Sequence, residues 1–317
     1  MQATQPPAQQ TTQKPIPQTA PQAMQHALTV DVEDYFHVGA FVKNIDINDW
    51  DNWPSRVEAS TQVLLDLFAE HQTKATFFVL GWVAQRYPEL VRAIHAQGHE
   101  IASHGMSHQL VYGQSPAVFK EETLASKKLL EDIIGERVNG YRAASYSITP
   151  NSIWALETLI EAGFTYDSSI FPVKHDRYGM PGAPLQIHQA RVNGGAAITE
   201  FPLTSASVLG QRVPAAGGGY FRLYPYWLTQ LLLKKAAKEL NQPFVFYLHP
   251  WEIDENQPRV EGASMLSRFR HYNNLDKCLP RMNTLLQQFS FTTMAEVIAQ
   301  YASQNTLEAC DYAQFRG

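Results

Sequence analysis

Short apolar runs alternate with helical patterns along most of the chain, and this alternation constrains the fold more than any other feature. The runs that predict strands begin at Leu28 and continue at residues 74–80, 99–104, 138–142, 164–167, 243–249 and 289–292. The segments that predict helices are residues 54–68, 83–97, 116–134, 151–162, 225–240, 279–288 and 294–301. Two further runs, 186–192 and 197–201, predict an added β excursion. Because repeated strand–helix–strand units form a parallel sheet covered by crossovers, the sequence predicts an α/β fold. At this length a barrel, complete or incomplete, is favoured over an open sheet.

The two ends of the chain differ in composition from this alternating region. Residues 1–25 are almost entirely Gln, Pro, Thr and Ala. Such a segment cannot bury enough apolar surface to offset the entropy of ordering, so it predicts a disordered tail. We expect a single folded domain over residues 26–302 and a C-terminal tail over residues 303–317.

Composition and charge exclude several classes of function. The net charge is −5 and no Lys/Arg-rich run occurs, which argues against a nucleic-acid partner. No stretch approaches the ~18–20 apolar residues that a membrane span needs. The two cysteines, Cys278 and Cys310, match neither a disulfide framework nor a zinc motif and predict inert thiols. The N-terminus as given has no basic and then apolar segment, so we expect a cytoplasmic protein, or a periplasmic or envelope-associated one if the natural chain has been trimmed. No pattern indicates an oligomeric state.

Polar side chains that can carry chemistry follow four of the predicted strands. They are Asp31 and Glu33, His104 and His108, Arg142, and His249. Because the carboxyl ends of parallel strands meet on one face of a barrel, residues more than two hundred positions apart can meet there. Taken alone, the two acids also fit a solvated surface turn, and the two histidines fit unrelated loop positions. Their combination favours a site.

The spacing of these groups suits a divalent metal ion. His104 and His108, with three residues between them, can lie on one side of a helical turn or of a glycine-containing loop. With one carboxylate they leave positions for water and substrate. Zinc is our expectation, although cobalt, nickel or manganese would suit the same ligands. A bound ion would polarise a carbonyl group and lower the pKa of water toward ~7. Asp31 would then accept a proton from that water, and His249 would donate one to the leaving group.

Neighbouring residues allow two interpretations each. Arg142 is either a simple salt-bridge partner or the group that keeps Asp31 ionised and oriented. The aromatic residues close to the motifs are core residues by default, but beside a site they would stack on the apolar faces of sugar rings. They are Tyr35, Phe36, Tyr146, Tyr220 and Trp251.

At these residues the sequence resembles the polysaccharide deacetylase family, carbohydrate esterase family 4, from about residue 27 to about residue 301. Residues 29–34 (TVDVED) are similar to the first motif of the family and residues 103–108 (SHGMSH) to the second. Residues 142–145 (RAAS) are similar to the third motif and residues 247–249 (YLH) to the last. Within the family, the sequence resembles the subfamily found with exosortase-linked exopolysaccharide loci.

The resemblance implies a distorted (β/α) barrel and metal-dependent removal of acetyl groups from sugar polymers. It implies Asp31 as the base, His249 as the acid, and His104 and His108 as metal ligands. It also implies that Arg142 tunes Asp31.

Further roles follow from the same resemblance. The backbone N–H of Ser145 would complete an oxyanion pocket, and Tyr146 and Trp251 would contact the substrate. Asp167 lies roughly where the family has an acid that orients the catalytic histidine.

The first motif departs from the usual family pattern of two adjacent aspartates. Here Val32 separates Asp31 from Glu33. Strand alternation favours Glu33 as the carboxylate ligand of the metal, with Asp34 as the alternative. The third motif has Ala143 and Ala144 where the family usually has prolines.

Our leading hypothesis is a metal-dependent hydrolase that removes acetyl groups from N-acetylated hexosamine units of an exopolysaccharide or its precursor. One alternative keeps the fold and acts on peptidoglycan or on a small cyclic amide. Another is a non-catalytic carbohydrate-binding protein.

Overall fold

The computed structural model describes residues 24–175 and 177–316. The predicted disordered tail over residues 1–25 therefore lies almost entirely outside the described residues. Within them, no helix combines the length and the apolar character that crossing a membrane requires.

A mostly parallel sheet forms the centre of the fold. The strands that belong to it are β1 (Gln25–Val32), β2 (Thr76–Val79), β3 (Glu100–Ser103), β4 (Gly140–Tyr141), β5 (Tyr166–Asp167), β6 (His188–Arg191) and β7 (Ala197–Glu200). A separate hairpin, β8 (Ser205–Val208) and β9 (Gln211–Pro214), follows, and β10 (Val245–Leu248), β11 (Ser290–Thr292) and β12 (Ala309–Asp311) complete the sheet. The order is β10-β1-β2-β3-β4-β5-β7-β6-β12, with β11 also paired to β1, and only β6 and β7 run antiparallel to each other.

Ten helices of the described chain connect and cover these strands. They are α1 (Val57–Glu70), α2 (Gly81–Arg86), α3 (Pro88–Ala96), α4 (Pro116–Ile134), α5 (Trp154–Glu161), α6 (Gly218–Leu223), α7 (Tyr226–Leu240), α8 (Met265–Tyr272), α9 (Leu275–Gln288) and α10 (Met294–Gln304).

The barrel is distorted because the side between β7 and β10 is closed by irregular chain. Thr204 Oγ1 both donates to the carbonyl of Val245 (2.9 Å) and accepts from its N–H (2.8 Å). The N–H of Tyr247 donates to the carbonyl of Ala216 (2.7 Å). These contacts satisfy the edge of β10 where a neighbouring strand would otherwise stand. The fold agrees with the predicted distorted (β/α) barrel.

The alternation of β1 positions the site. Leu28, Val30 and Val32 are fully buried in the core that the sheet shares with its covering helices. Successive side chains of a strand point to opposite faces. Thr29 and Asp31 therefore point into the barrel interior, where the chain exits β1 into the acidic segment.

Several predicted elements differ from the structure. The single helix predicted over residues 83–97 is two helices, α2 and α3, because Pro88 lacks an N–H and disfavours helical geometry at Tyr87. Residues 197–201 were predicted to belong to an added β excursion, but β7 pairs with β5 inside the main sheet. Residues 303–317 do not form only a tail, because β12 pairs in parallel with β6.

Candidate active site

The carboxyl ends of the barrel strands surround a cavity of about 160 Å³. Most residues that the sequence indicated line this cavity: Asp31, Glu33, His104, His108, Ser145, Tyr146, His249 and Trp251. Arg142 lies directly behind it in contact with Asp31. Asp34 and Asp167 do not line it.

Glu33, His104 and His108 present one ligand atom each within 4.8 Å of one another. His108 Nε2 lies 2.6 Å from Glu33 Oε2. That carboxylate oxygen is otherwise buried, with no hydrogen-bond partner among the described residues. Apart from His108, nothing among the described residues occupies the lone pairs of Glu33 Oε2, as expected of a ligand arranged around a cation.

The charge states of these groups also suit the binding of a metal ion. Burial opposes ionisation of Glu33, but the surrounding imidazoles, chiefly that of His108, hold its pKa below the usual range. Burial lowers the pKa of His104 to about 4, so its ring is neutral at neutral pH. A metal ligand needs an ionised carboxylate and neutral imidazoles.

A backbone carbonyl sets the orientation of His104. His104 Nδ1 lies 2.9 Å from the carbonyl oxygen of Arg142. Because a carbonyl only accepts hydrogen bonds, Nδ1 carries the proton and Nε2 keeps the lone pair. Two imidazoles and a carboxylate, oriented in this way, fit a divalent transition metal.

Asp34, the alternative carboxylate ligand, has a different task. Its Oδ2 accepts hydrogen bonds from Ser55 Oγ and from the N–H groups of Arg56 and Val57, while Oδ1 accepts from the N–H of Tyr35. Asp34 therefore caps the N-terminus of α1, where unpaired N–H groups favour an anion. Its lone pairs are used, and Glu33 is the carboxylate available to a metal.

Three residues that line the cavity have left-handed backbone conformations. They are His108 (φ 53°), Ser145 (φ 51°) and Tyr146 (φ 54°). Each such non-glycine residue costs on the order of 1–3 kcal/mol, so surrounding structure must impose it. Clustered strain of this kind marks a functional site.

The carboxylate of Asp31 is held by a fully buried arginine. Arg142 Nη1 donates to Asp31 Oδ1 (2.6 Å) and to Thr29 Oγ1 (2.8 Å). The rest of the guanidinium donates to the carbonyl and the hydroxyl of Ser168, and its carbon lies 4.1 Å from the ring centre of Phe78. The contact with Oδ1 leaves Asp31 Oδ2 facing the cavity.

His249 lies across the cavity, within reach of both carboxylates. Its Nε2 is 3.9 Å from Asp31 Oδ2 and 3.6 Å from Glu33 Oε1. Burial alone would lower the pKa of His249, but the nearby carboxylates of Glu252, Glu33 and Asp31 raise it to about 9. The ring is therefore protonated at neutral pH.

Glu252 orients His249, a contact that the sequence analysis missed. Glu252 Oε2 lies 3.1 Å from both the Nδ1 atom and the backbone nitrogen of His249. Its Oε1 accepts a 2.7 Å hydrogen bond from Arg222 Nε. Burial disfavours the charge on Glu252, but Arg222 and His249 lower its pKa to about 2. The sequence signal was an acid three residues after the histidine, a spacing that closes a capping box over one turn.

Asp167, predicted to orient the histidine, does not contact it. Its Oδ1 accepts from Ser169 Oγ (2.6 Å), and it faces Glu200 across the β5–β7 pair. Burial raises the pKa of Asp167 to about 6 and that of Glu200 well above its usual range. Two buried carboxyl groups side by side are most stable when they share one proton.

Trp251, predicted to contact substrate, is itself packed into the site. Its ring stacks against the rings of His271 (4.3 Å between centres) and His249 (5.1 Å). Trp251 Nε1 donates to Glu33 Oε1 (3.2 Å). Only 6% of the residue is exposed. It holds Glu33 and His249 in place and also lines the cavity.

Two family models match this chain, and their matched ranges include most residues of the site. Residues 48–166 match the polysaccharide deacetylase family model, and residues 168–299 match a domain of unknown function, DUF3473. His104, His108 and Arg142 fall in the first match, His249 and Glu252 in the second, and Asp31 and Glu33 precede both.

Relatives and solved structures agree with that match. The chain is 32% identical over 103 residues to a chitooligosaccharide deacetylase of Bradyrhizobium sp. (strain ANU 289), covering 32% of this chain and 46% of the relative. It is 36% identical over 76 residues to a peptidoglycan-N-acetylglucosamine deacetylase of Bacillus cereus, covering 24% of this chain and 36% of the relative. The family model and these relatives show similarity to polysaccharide deacetylases over parts of the chain. The chain thus spans less than half the length of these relatives.

A crystal structure assigned to the polysaccharide deacetylases, from Mycobacterium smegmatis, has the same fold. The TM-score is 0.61 at 18% identity, and the match covers 91% of this chain and 94% of that one.

We expect Glu200→Gln to stabilise the protein at alkaline pH. The pKa of Asp167 is raised on folding, so the stability linked to its proton is present below pH ~4 and is lost as pH rises through about 6. A neutral amide at position 200 donates to Asp167 without needing that proton. Urea unfolding at pH 5 and pH 8 should show a smaller loss of stability in Glu200→Gln than in the wild type, by about 1–3 kcal/mol.

Glu255→Gln, which alters an exposed glutamate, is the control and should follow the wild type. A Glu200→Gln protein that is less stable than the wild type at pH 8 would contradict the shared proton.

Proposed function

We propose that the protein is a metal-dependent hydrolase that removes acetyl groups from N-acetylated hexosamine units of an exopolysaccharide or its precursor. The observation that carries the proposal is the placement of Asp31 and His249, 3.9 Å apart, in one cavity with the Glu33, His104 and His108 ligand set. A proton acceptor and a proton donor beside a metal site are the groups that amide hydrolysis requires.

Glu33, His104 and His108 would hold the ion, for which zinc remains our expectation and cobalt, nickel or manganese are alternatives. When bound, the ion supplies a Lewis acid for the acetyl carbonyl and lowers the pKa of water. The protein residues perform the proton transfers.

Asp31 accepts the proton of the attacking water, since Arg142 binds its Oδ1 and leaves its Oδ2 facing the cavity. His249 donates a proton to the departing nitrogen. Its pKa of about 9 ensures that the proton is present, and Glu252 at Nδ1 aims Nε2 into the cavity. We assign the Ser145 amide to the developing oxyanion, because Ser145 lines the cavity in a strained turn.

The names of the relatives support an N-acetyl amide as the bond that is cleaved. Chitooligosaccharide and peptidoglycan-N-acetylglucosamine deacetylases have in common, by name, an acetylated aminosugar polymer. An exopolysaccharide as the polymer rests on the resemblance to the exosortase-linked subfamily. Peptidoglycan is the second candidate, favoured by the matches to the Bacillus cereus relative and to a Helicobacter pylori peptidoglycan deacetylase. For the compartment we propose the cytoplasm, with the periplasm or envelope as the alternative.

Acetate release by the zinc-loaded protein tests the proposal. We expect turnover of N-acetylated oligosaccharides, and Asp31→Asn should lower kcat by about 10²–10⁴-fold while retaining metal. His104→Ala should lose both metal, measured by elemental analysis, and activity. His95→Ala changes a histidine outside the cavity, so it should retain both.

Chitooligosaccharide, peptidoglycan and acetylated exopolysaccharide fragments, assayed in parallel with a cyclic amide, would rank the candidate substrates. The proposal is wrong if no substrate yields acetate. A protein that binds glycans without metal and without turnover would instead be a carbohydrate-binding protein.

The pH profile tests the role of Glu252. Activity that requires protonated His249 should decline as pH rises through about 9. Glu252→Gln removes a carboxylate that raises this pKa, so the alkaline decline of kcat/KM should move to lower pH by about one unit or more. Glu255→Gln should leave the profile in place. An alkaline limb that does not move in Glu252→Gln would show that another group sets it.

A further inference from the structure

A second cavity, which we call the side groove, opens beside the metal-site cavity. Its volume is about 370 Å³. Gly39, Ser145, Tyr178 and Tyr247 line both spaces, so the two are continuous. A glycan whose acetyl group reaches His104 and His108 would place its neighbouring sugar in the side groove.

Aromatic side chains form much of the groove wall. Tyr112, Tyr178, Tyr220 and Phe269 line it. Tyr112 is 40% and Phe269 55% exposed, although both carry large apolar surfaces. Tyr178 is held in a stack with His175 (3.8 Å) and Phe171 (5.6 Å). Preformed aromatic surfaces of this kind suit the apolar faces of sugar rings.

Two arginines give the groove a positive charge. Arg177 and Arg270 line it, and no aspartate or glutamate of the described residues does. Arg177 Nη2 donates to the carbonyl of Gly39 (3.1 Å), at the junction with the metal-site cavity. A Cβ at position 39 would lie 2.6 Å from that nitrogen, so glycine leaves room for the guanidinium.

Neither arginine is neutralised within the described residues. Salt bridges there pair other arginines with acids, for example Arg142 with Asp31 and Arg222 with Glu252, but none involves Arg177 or Arg270. The chain as a whole carries a charge of −5, which would repel an anion from most of the surface. The groove is therefore a local exception to the overall charge.

We infer that the side groove binds an anionic group, carboxylate or phosphate, attached to the sugar next to the acetylated hexosamine. The inference rests on the proposed function and specifies its substrate class as an acidic glycan. Guanidinium groups bind carboxylate and phosphate through paired N–H donors, and the aromatic wall binds the ring that carries the anion.

Matched substrates test the inference on the full, metal-loaded chain. A neutral N-acetylated oligosaccharide is compared with one of equal length in which a uronic acid adjoins the N-acetylhexosamine. An N-acetylhexosamine joined to phosphate tests the other anion source. We expect a KM about tenfold lower for at least one anionic substrate, with kcat little changed, and loss of the difference at high salt.

Variants locate the effect. Arg177→Ala and Arg270→Ala should each raise KM for the anionic substrate and leave KM for the neutral one nearly unchanged. Arg270→Lys should restore part of the effect, because it keeps the charge without the planar fork. Arg268→Ala, which removes an exposed arginine of α8 that does not line the groove, is the matched control.

Direct binding separates this inference from the proposed function. Calorimetry with a uronic-acid-containing oligosaccharide needs no turnover, and the wild type should bind it more tightly than Arg270→Ala does. Equal binding of neutral and anionic glycans, or equal losses for both in the arginine variants, would overturn the acidic-glycan inference even in an active deacetylase. Preferential binding of anionic glycans without acetate release would support the groove and refute the hydrolase.

Discussion

The buried ion pair between Arg142 and Asp31 is the interaction on which the rest of the site depends. One guanidinium joins the end of β1 to the segment after β5 by donating to Thr29, Asp31 and Ser168. Burying a charge pair is a poor source of stability, because desolvation offsets much of the attraction. Its effect here is orientation, since the contact with Oδ1 directs the other oxygen of Asp31 toward the cavity.

A second buried arginine–carboxylate pair orients His249. Arg222 holds Glu252, and Glu252 holds His249 at Nδ1. The proton acceptor and the proton donor are thus each backed by an arginine–carboxylate pair. The metal ligands lie in the same cavity, and Trp251 stabilises this arrangement by donating to Glu33 while stacking on His249. Strained backbone at His108 and Ser145 is tolerated because this packing surrounds it.

Signals within a short stretch of sequence predicted the features that depend on neighbouring residues, such as the ends of a helix. The helix over residues 116–134 was predicted to the residue, because Ser115 caps it, Pro116 suits its first turn and Gly135 adopts the left-handed conformation that ends it. The convergence of Asp31, His104 and His249 followed from parallel strand topology. Strand alternation favoured Glu33 over Asp34, although β1 itself ends at Val32.

What the sequence analysis missed depends on contacts between distant segments. The donors to Asp34 come from residues 55–57, so its role as a cap of α1 is not visible in the motif around it. Asp167 occupies a motif-like position, yet its partner is Glu200 on a neighbouring strand. β12 has little apolar character and forms because β6 offers it an unpaired edge.

The most direct test of the central claim is an anomalous-scattering map of crystals of the zinc-loaded protein. The account predicts one strong peak in contact with Glu33, His104 and His108, with Asp31 and His249 nearby and neither of them a ligand. A peak held by Asp34, or the absence of a peak between the two histidines, would contradict it.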